Sequence, residues 1–227
     1  MILTCKRNII RHQYLKEAWL DKCKIPYVFL IGDDSIEDDY LFNDSEKHLT
    51  IKCSDSYDYL SAKVKLGITT IMKLFKPEYI IKCDDDVYVN LERLYTYISI
   101  CLDTGIKYHG KAKTSPKGFE SCWGVNKFKT SKNKVPFVFE NAITYTIGPL
   151  YYLSAEACEI IIQHMDPEFC KFEDVNVGYT LALHGITIDK LDDIAFIYSN
   201  FVRDFITGKS LAWHDISHHT FMDLFVQ

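Results

Sequence analysis

Short β-rich apolar runs alternate with segments of helical period over the first hundred residues, and that alternation confines the chain to an α/β architecture. Ile2 to Thr4 reads as a strand, and residues 8–22 as a helix with Ile10, Tyr14, Leu15 and Ala18 at helical spacing. Tyr27 to Ile31 is a second strand, stopped by the turn residues Gly32-Asp33-Asp34, and Leu49 to Cys53 is a third. Tyr57 to Phe75 carries Leu60, Val64, Ile68, Ile71 and Leu74 on one helical face and is ended by Pro77, which cannot continue the hydrogen-bond ladder. Tyr79 to Cys83 is the next strand, followed by Val87 to Asn90 and a helix from Leu91 to Cys101. Strands separated by helices predict an open, mostly parallel sheet with helices on both faces.

The second half is less periodic. Residues 107–134 read as loop or short strands, Val135 to Phe139 as a strand, and Ser154 as the N-cap of a helix ending near Met165. Glu173-Asp174 opens a further helix to His184, with Gly185 placed as its C-cap. From Ile194 to Gln227, short apolar runs mix with His214, His218 and His219.

With 227 residues, 48% of them hydrophobic, one core suffices, and residues 1–227 are expected to form a single domain. The formal net charge of -5 argues against nucleic acid as a partner, since phosphate binding wants a basic surface. An acidic stretch from Asp33 to Glu46 and a lysine-rich one from Lys107 to Lys134 read most simply as solvated loops. The eight cysteines include no CxxC pair, so buried free thiols explain them better than zinc. No charged-then-apolar leader is visible, and no apolar run approaches the roughly 20 residues of a membrane span, so the chain is expected to be cytoplasmic.

Asp84-Asp85-Asp86 directly follows an apolar strand, and open α/β sheets bind ligands at the carboxyl ends of their strands. Three carboxylates converging in a cleft require a cation, and hard oxygen ligands suit Mn²⁺ or Mg²⁺, which also grip phosphate. Alternating side-chain directions let Asp84 and Asp86 point one way and Asp85 another. A solvated acidic turn is the plainer alternative. A carboxylate of the Glu173-Asp174 pair could act as a general base, although the pair read alone is better explained as acids favoured at a helix N-terminus. His214 could ligate Mn²⁺ with Asp215 behind it, or be an ordinary terminal histidine. Arg11 and Lys63 could each meet a nucleotide or be helix-surface charges, and Trp123 could stack on a sugar or be buried.

Taken in order along the chain, these segments resemble the β-1,3-galactosyltransferase, β-1,3-N-acetylglucosaminyltransferase and Fringe-like enzymes, glycosyltransferase family 31. Arg7-Asn8-Ile9-Ile10-Arg11 is similar to the family's early R-x-A-I-R block, and Phe29-Leu30-Ile31-Gly32 to its F-L-L-G strand. Asp55 to Lys63 is similar to D-S-Y-x-N-L-T-L-K, and Lys82 to Asn90 to K-x-D-D-D-V-F-V-N. Tyr145 to Ser154 resembles Y-x-x-G-x-G-Y-V-L-S, Glu173 to Gly178 resembles E-D-V-x-V-G, and Trp213 to Ser217 resembles the late V-H-x-I-S block. The chain departs from that pattern at Ile143-Thr144, where the family approaches the glycine block through prolines, and at Leu150, where a small residue is usual.

The resemblance implies a GT-A fold and an inverting transfer from a UDP-sugar donor to a glycan or glycoprotein acceptor, in a soluble, viral or microbial version of the enzyme. By carry-over, Asp86 and His214 would bind the metal, Asp84 would support metal or ribose, and Asp85 would face the ribose or donor sugar. Asp174 becomes the catalytic base; apart from the resemblance, residues 107–134 are expected to border the acceptor, with Trp123 and Glu173 as acceptor-side candidates. Thr4, Arg11, Asp55 and Lys63 would form the donor pocket, and Gly148 would admit the bound sugar close to the backbone. Two other classes compete: a non-catalytic carbohydrate-binding or chaperone-like relative, and a metal-dependent phosphoryl-transfer enzyme. The absence of a P-loop and of a basic groove counts against the second.

Overall fold

The computed structural model describes residues 1–115, 141–189, 198–199 and 210–214, with the backbone alone at 198–199 and 214. Seven strands form one sheet: β1 (Ile2–Leu3), β2 (Phe29–Gly32), β3 (Tyr40–Asn43), β4 (His48–Ile51), β5 (Tyr79–Asp84), β7 (Tyr108–Ser115) and β8 (Ile143–Ser154), in the order β3-β4-β2-β1-β5-β8-β7. Strands β4, β2, β1 and β5 pair in parallel, while β3 and β8 run against their neighbours. A second, three-stranded sheet joins β6 (Val87–Val89), β10 (Ala212–His214) and β9 (Tyr198–Ser199).

The central strands are buried on both faces, and their side chains alternate between two cores, as a pleat of period two requires. Leu3, Leu30, Ile80, Tyr151 and Leu153 pack against α2 (Leu60–Phe75), α4 (Ala155–His164) and α5 (Glu173–Leu183). Ile2, Phe29, Cys83, Leu150 and Tyr152 pack on the other side with α1 (Ile9–Ala18) and α3 (Leu91–Asp103). Each fully buried aliphatic side chain in these layers contributes about 1.5–3 kcal/mol. Helices on both faces of a largely co-directed sheet are what the alternating pattern predicts.

Several local expectations are corrected. The first helix turns a different face inward: His12, Leu15 and Ala18 are buried, whereas Ile9 and Ile10 are more than half exposed. His12 takes the inward place because its ring stacks on Phe29 at 4.0 Å, so a polar residue fills an apolar role. The acidic stretch contains the largely exposed edge strand β3, and Asp33 within it pairs with Lys6 at 2.6 Å. Strand β7 starts inside the lysine-rich stretch. Long strand β8, to which the sequence reading assigned no element, spans the Gly148-Pro149 pair. The strand expected at Val135 to Phe139, Trp123, and the residues from 215 onward lie outside the described residues.

The capping expectations hold. Ser154 Oγ accepts from the Ala157 N–H at 3.2 Å, and Gly185 takes φ 78° while Ile186 N–H returns to the Leu181 carbonyl at 2.9 Å. The seven described cysteines are free thiols, and Cys83, Cys101, Cys158 and Cys170 are buried. Among the described residues, no helix is long and apolar enough to cross a membrane.

Candidate active site

The chain passes from β1 outward to β2 and β4, then returns to β5 on the far side of β1. The reversal creates a switch point between β1 and β5, the usual ligand crevice of an open α/β sheet. Thr4, just past β1, and Asp85, just past β5, meet across it: Thr4 Oγ1 donates to Asp85 Oδ2 at 2.7 Å. Asn8 Nδ2 donates to the same oxygen at 2.9 Å, and the Arg11 guanidinium holds Oδ1 at 2.6 Å. Asp85 is buried, while the Arg11 side chain is 43% exposed, so the group opens toward solvent on its arginine side.

Lys63 and Asp55 lie directly behind. Lys63 is buried on α2 and donates to the Thr4 carbonyl at 2.6 Å and to Asp55 Oδ1 at 2.7 Å. Asp55 also accepts from the backbone N–H groups of Gly32 at 3.0 Å and Lys6 at 2.6 Å. The pair therefore ties together the carboxyl ends of β1, β2 and β4. Lys63 is not the surface charge its helix position allowed.

Asp84 points to the opposite side of the turn from Asp85. On β5, Ile80, Lys82 and Asp84 share one face; Ile80 enters the core, and Lys82 and Asp84 form its polar end. Lys82 is 1% exposed, and its ammonium donates to Asp84 Oδ1 at 2.6 Å, to the Gly148 carbonyl at 2.6 Å and to Glu173 Oε1 at 2.7 Å. Three donors thus meet three acceptors. Burial alone would lower the Lys82 pKa, but Asp84 and Glu173 outweigh it and hold the ammonium firmly charged. Glu173 Oε2 accepts from the Tyr151 hydroxyl at 2.8 Å, which completes its shell.

A bulge in β8 makes Gly148 available. Gly110 pairs with Tyr151 and Ala112 with Thr146, so residues 147–150 stand opposite Lys111 alone. The Gly148 N–H, released from the ladder, donates to Asp174 Oδ2 at 3.0 Å, while Val175 N–H donates to Oδ1 at 2.8 Å. Close packing sets the position of α5: a Cβ at Gly178 would fall 2.5 Å from the Tyr145 Cβ, so only glycine lets the helix sit this near β8. Burial, reinforced by the Glu173 charge, pushes the Asp174 carboxyl up to about 7, although Lys82 opposes the rise. Such a carboxyl can exchange a proton near neutrality.

Asp84 is pushed up to about 6 by burial; Lys82 counteracts this, and the charges of Asp86 and Glu173 add to it. A divalent cation beside Asp84 would offset the negative charges of Asp86 and Glu173 that add to its shift. The register of β10 sets His214 across from Val87, the residue after Asp86, so the backbone brings position 214 beside the acidic turn. Carboxylates with an imidazole are a fitting set for Mn²⁺ or Mg²⁺. Among the described residues, no three acidic, histidine or cysteine side chains form a metal cluster.

The expected residues therefore fall into two adjoining groups, Thr4, Arg11, Asp55, Lys63 and Asp85 on one side and Asp84, Gly148, Glu173 and Asp174 on the other. Sequence reading missed Lys82 and Tyr151 as parts of the site. It also missed Tyr57, whose phenol is raised to about 12 by burial and by the charges of Asp174, Glu173 and Asp84. The signal for Lys82 was present: a lysine within a strand buried on both faces has to be paired.

Residues 5–192 match the family model described as Galactosyltransferase. The chain is 27% identical over 211 residues to Beta-1,3-galactosyltransferase 7 of Arabidopsis thaliana, covering 82% of this chain and 52% of that protein. It is 30% identical over 189 residues to Probable beta-1,3-galactosyltransferase 1 of the same plant, covering 82% of this chain and 44% of the relative. It thus spans about half the length of these two relatives. A solved glycosyltransferase involved in the glycosylation of the major capsid of PBCV-1 superposes with a TM-score of 0.53 at 15% identity, covering 99% of this chain and 97% of that one. The shared architecture is GT-A-like.

Proposed function

Because the chain belongs to the galactosyltransferase family, we propose that it is an inverting, metal-dependent glycosyltransferase. It moves a hexose or N-acetylhexosamine from a UDP-sugar to a hydroxyl of a glycan or glycoprotein, forming a β-1,3 linkage. The observation that carries this reading is the position of Asp174, held by the Gly148 amide beside the acidic turn at the end of β5.

In this mechanism Asp174 takes the proton of the acceptor hydroxyl as it attacks the anomeric carbon. The Gly148 and Val175 N–H groups hold both carboxylate oxygens, so the base is fixed before substrate arrives. Lys82 keeps Glu173 and Asp84 at a set separation and so places the base relative to the donor. Asp85 and Arg11 face the nucleotide, with Thr4, Lys63 and Asp55 holding them from behind. Asp86, Asp84 and His214 would hold Mn²⁺ or Mg²⁺, which when bound neutralises charge developing on the departing diphosphate. Enzymes of this family are typically metal-dependent.

A panel of UDP-sugars incubated with the protein and Mn²⁺, with released UDP as the readout, tests the proposal. Release from one or a few UDP-sugars, accelerated by a glycan acceptor, is expected. Binding of glycans with no UDP release from any donor would mark a non-catalytic relative, and hydrolysis of nucleotides or oligonucleotides instead would mark phosphoryl transfer.

A further inference from the structure

The donor-side group is supported by two histidines from other elements. His12 of α1 is buried, with Nε2 3.0 Å from Thr4 Oγ1 and Nδ1 2.9 Å from Nε2 of half-buried His48 on β4. The Thr4 hydroxyl has one proton, which goes to Asp85 Oδ2. Toward His12 it can therefore only accept, so His12 carries its proton on Nε2. A neutral ring protonated there presents a bare Nδ1, which accepts the Nε2–H of His48. The ring is neutral because burial, and then the neighbouring His48, depress its pKa to about 4. Stacking on Phe29 at 4.0 Å, with planes within 6°, fixes its orientation.

We infer that His12 and His48 are positioning residues for the donor site: a one-way hydrogen-bond chain from His48 through His12 and Thr4 to Asp85 commits Asp85 Oδ2 to the protein and leaves Oδ1, with Arg11, to meet the nucleotide. This rests on the donor reading above. Oδ2 already accepts from Thr4 and Asn8, whereas Oδ1 accepts from the Arg11 guanidinium alone among the described contacts. Without the chain, the Thr4 hydroxyl is free to rotate toward other acceptors, and the carboxylate loses the constraint that aims its outer edge.

Two measurements decide it. Long-range proton–nitrogen spectra of labelled protein near pH 7 should show His12 as the neutral Nε2–H form; an Nδ1–H ring or an imidazolium overturns the chain. In calorimetry with UDP and Mn²⁺, His12→Phe keeps the stacked ring but removes the donor, and should weaken UDP binding roughly 3–10-fold, the size of one hydrogen bond. His12→Gln, which returns an amide N–H near Nε2, should restore affinity to within about 2-fold. Affinity for His12→Phe equal to that of the unaltered protein overturns the positioning role. Should His12→Phe unfold, His48→Phe at the half-buried end replaces it, with weakening expected and unchanged affinity counting against the role. No UDP binding by the unaltered protein would sink the donor reading, and the nitrogen spectra would then uphold or overturn the chain by themselves.

Discussion

The Lys82 ammonium lies 2.7 Å from Glu173 Oε1, joining the central strand that ends in three aspartates to the helix that carries Asp174. Both side chains are almost completely buried, so neither charge is affordable without the other.

Lys82→Met should therefore leave Glu173 and Asp84 without compensation and destabilise the protein by roughly 3–5 kcal/mol, the typical cost of breaking a buried pair. Adding Glu173→Gln should recover part of the loss, because the stranded charge is gone. Urea unfolding of the single and double variants measures both effects. A loss below about 1 kcal/mol would mean that the ammonium is not holding the two elements together.

Asp174→Asn should cost roughly 10²–10⁴ in turnover with little change in UDP affinity, since a general base acts on the acceptor proton and not on the nucleotide. The pH dependence has a definite sign. The carboxyl is raised to about 7, and only its ionised form can take a proton, so kcat/KM should climb with pH and level off near or above that value. A bound cation would move the rise lower. Stability moves the other way: the folded pKa exceeds the ordinary carboxylate value of about 3.9, so the contribution of the protonated form is lost as pH climbs to about 7. Between about pH 4 and 8, the stability difference should shift steadily in favour of Asp174→Asn. Paired unfolding curves across that range check the slope, and a flat difference would remove the raised carboxyl.

Much of this was legible from the residues, for identifiable reasons. The strand at Tyr79 to Cys83 and its aspartates stood out because an apolar run and an acid cluster meet at one boundary, and topology then put that boundary at the switch point. The Asp174 pair gave no such signal alone, since an acid at a helix start is ordinary; what distinguishes it is the Gly148 amide, a contact across 26 positions in the chain. Strand β8 was hidden by Gly148-Pro149, which breaks a regular ladder and here occupies a bulge. His12 was passed over because Ile10 looked the better core residue, although the ring that packs on Phe29 belongs to His12.

Asp86→Ala should abolish the Mn²⁺-dependent part of UDP binding while leaving the Lys82 cluster intact, because Lys82 bonds Asp84 and Glu173 and not Asp86. Calorimetry with UDP in the presence and absence of Mn²⁺ separates the two contributions. Binding that keeps its full response to Mn²⁺ in Asp86→Ala would place the cation elsewhere.

Gly148→Ala probes space with little effect on fold. A Cβ there would lie 3.4 Å from Glu173 Oε1, 3.5 Å from Asp174 Oδ2 and 3.7 Å from Lys82 Nζ, ordinary contact distances that demand no backbone movement. The methyl group would nonetheless stand beside the Glu173 and Asp174 carboxylate oxygens, in the space by which the proposed mechanism brings an acceptor hydroxyl to Asp174. Unfolding should therefore change by no more than about 1 kcal/mol, as expected where nothing is overpacked. Turnover should fall at least about tenfold, because misplacing a reacting group by a fraction of an ångström is costly. UDP affinity should hold, as Arg11 and Asp85, the residues proposed to face the nucleotide, lie on the other side of the turn. Full turnover in Gly148→Ala would show that the acceptor reaches its base by another path, and a large loss of stability would show that the bulge is more tightly packed than these distances allow.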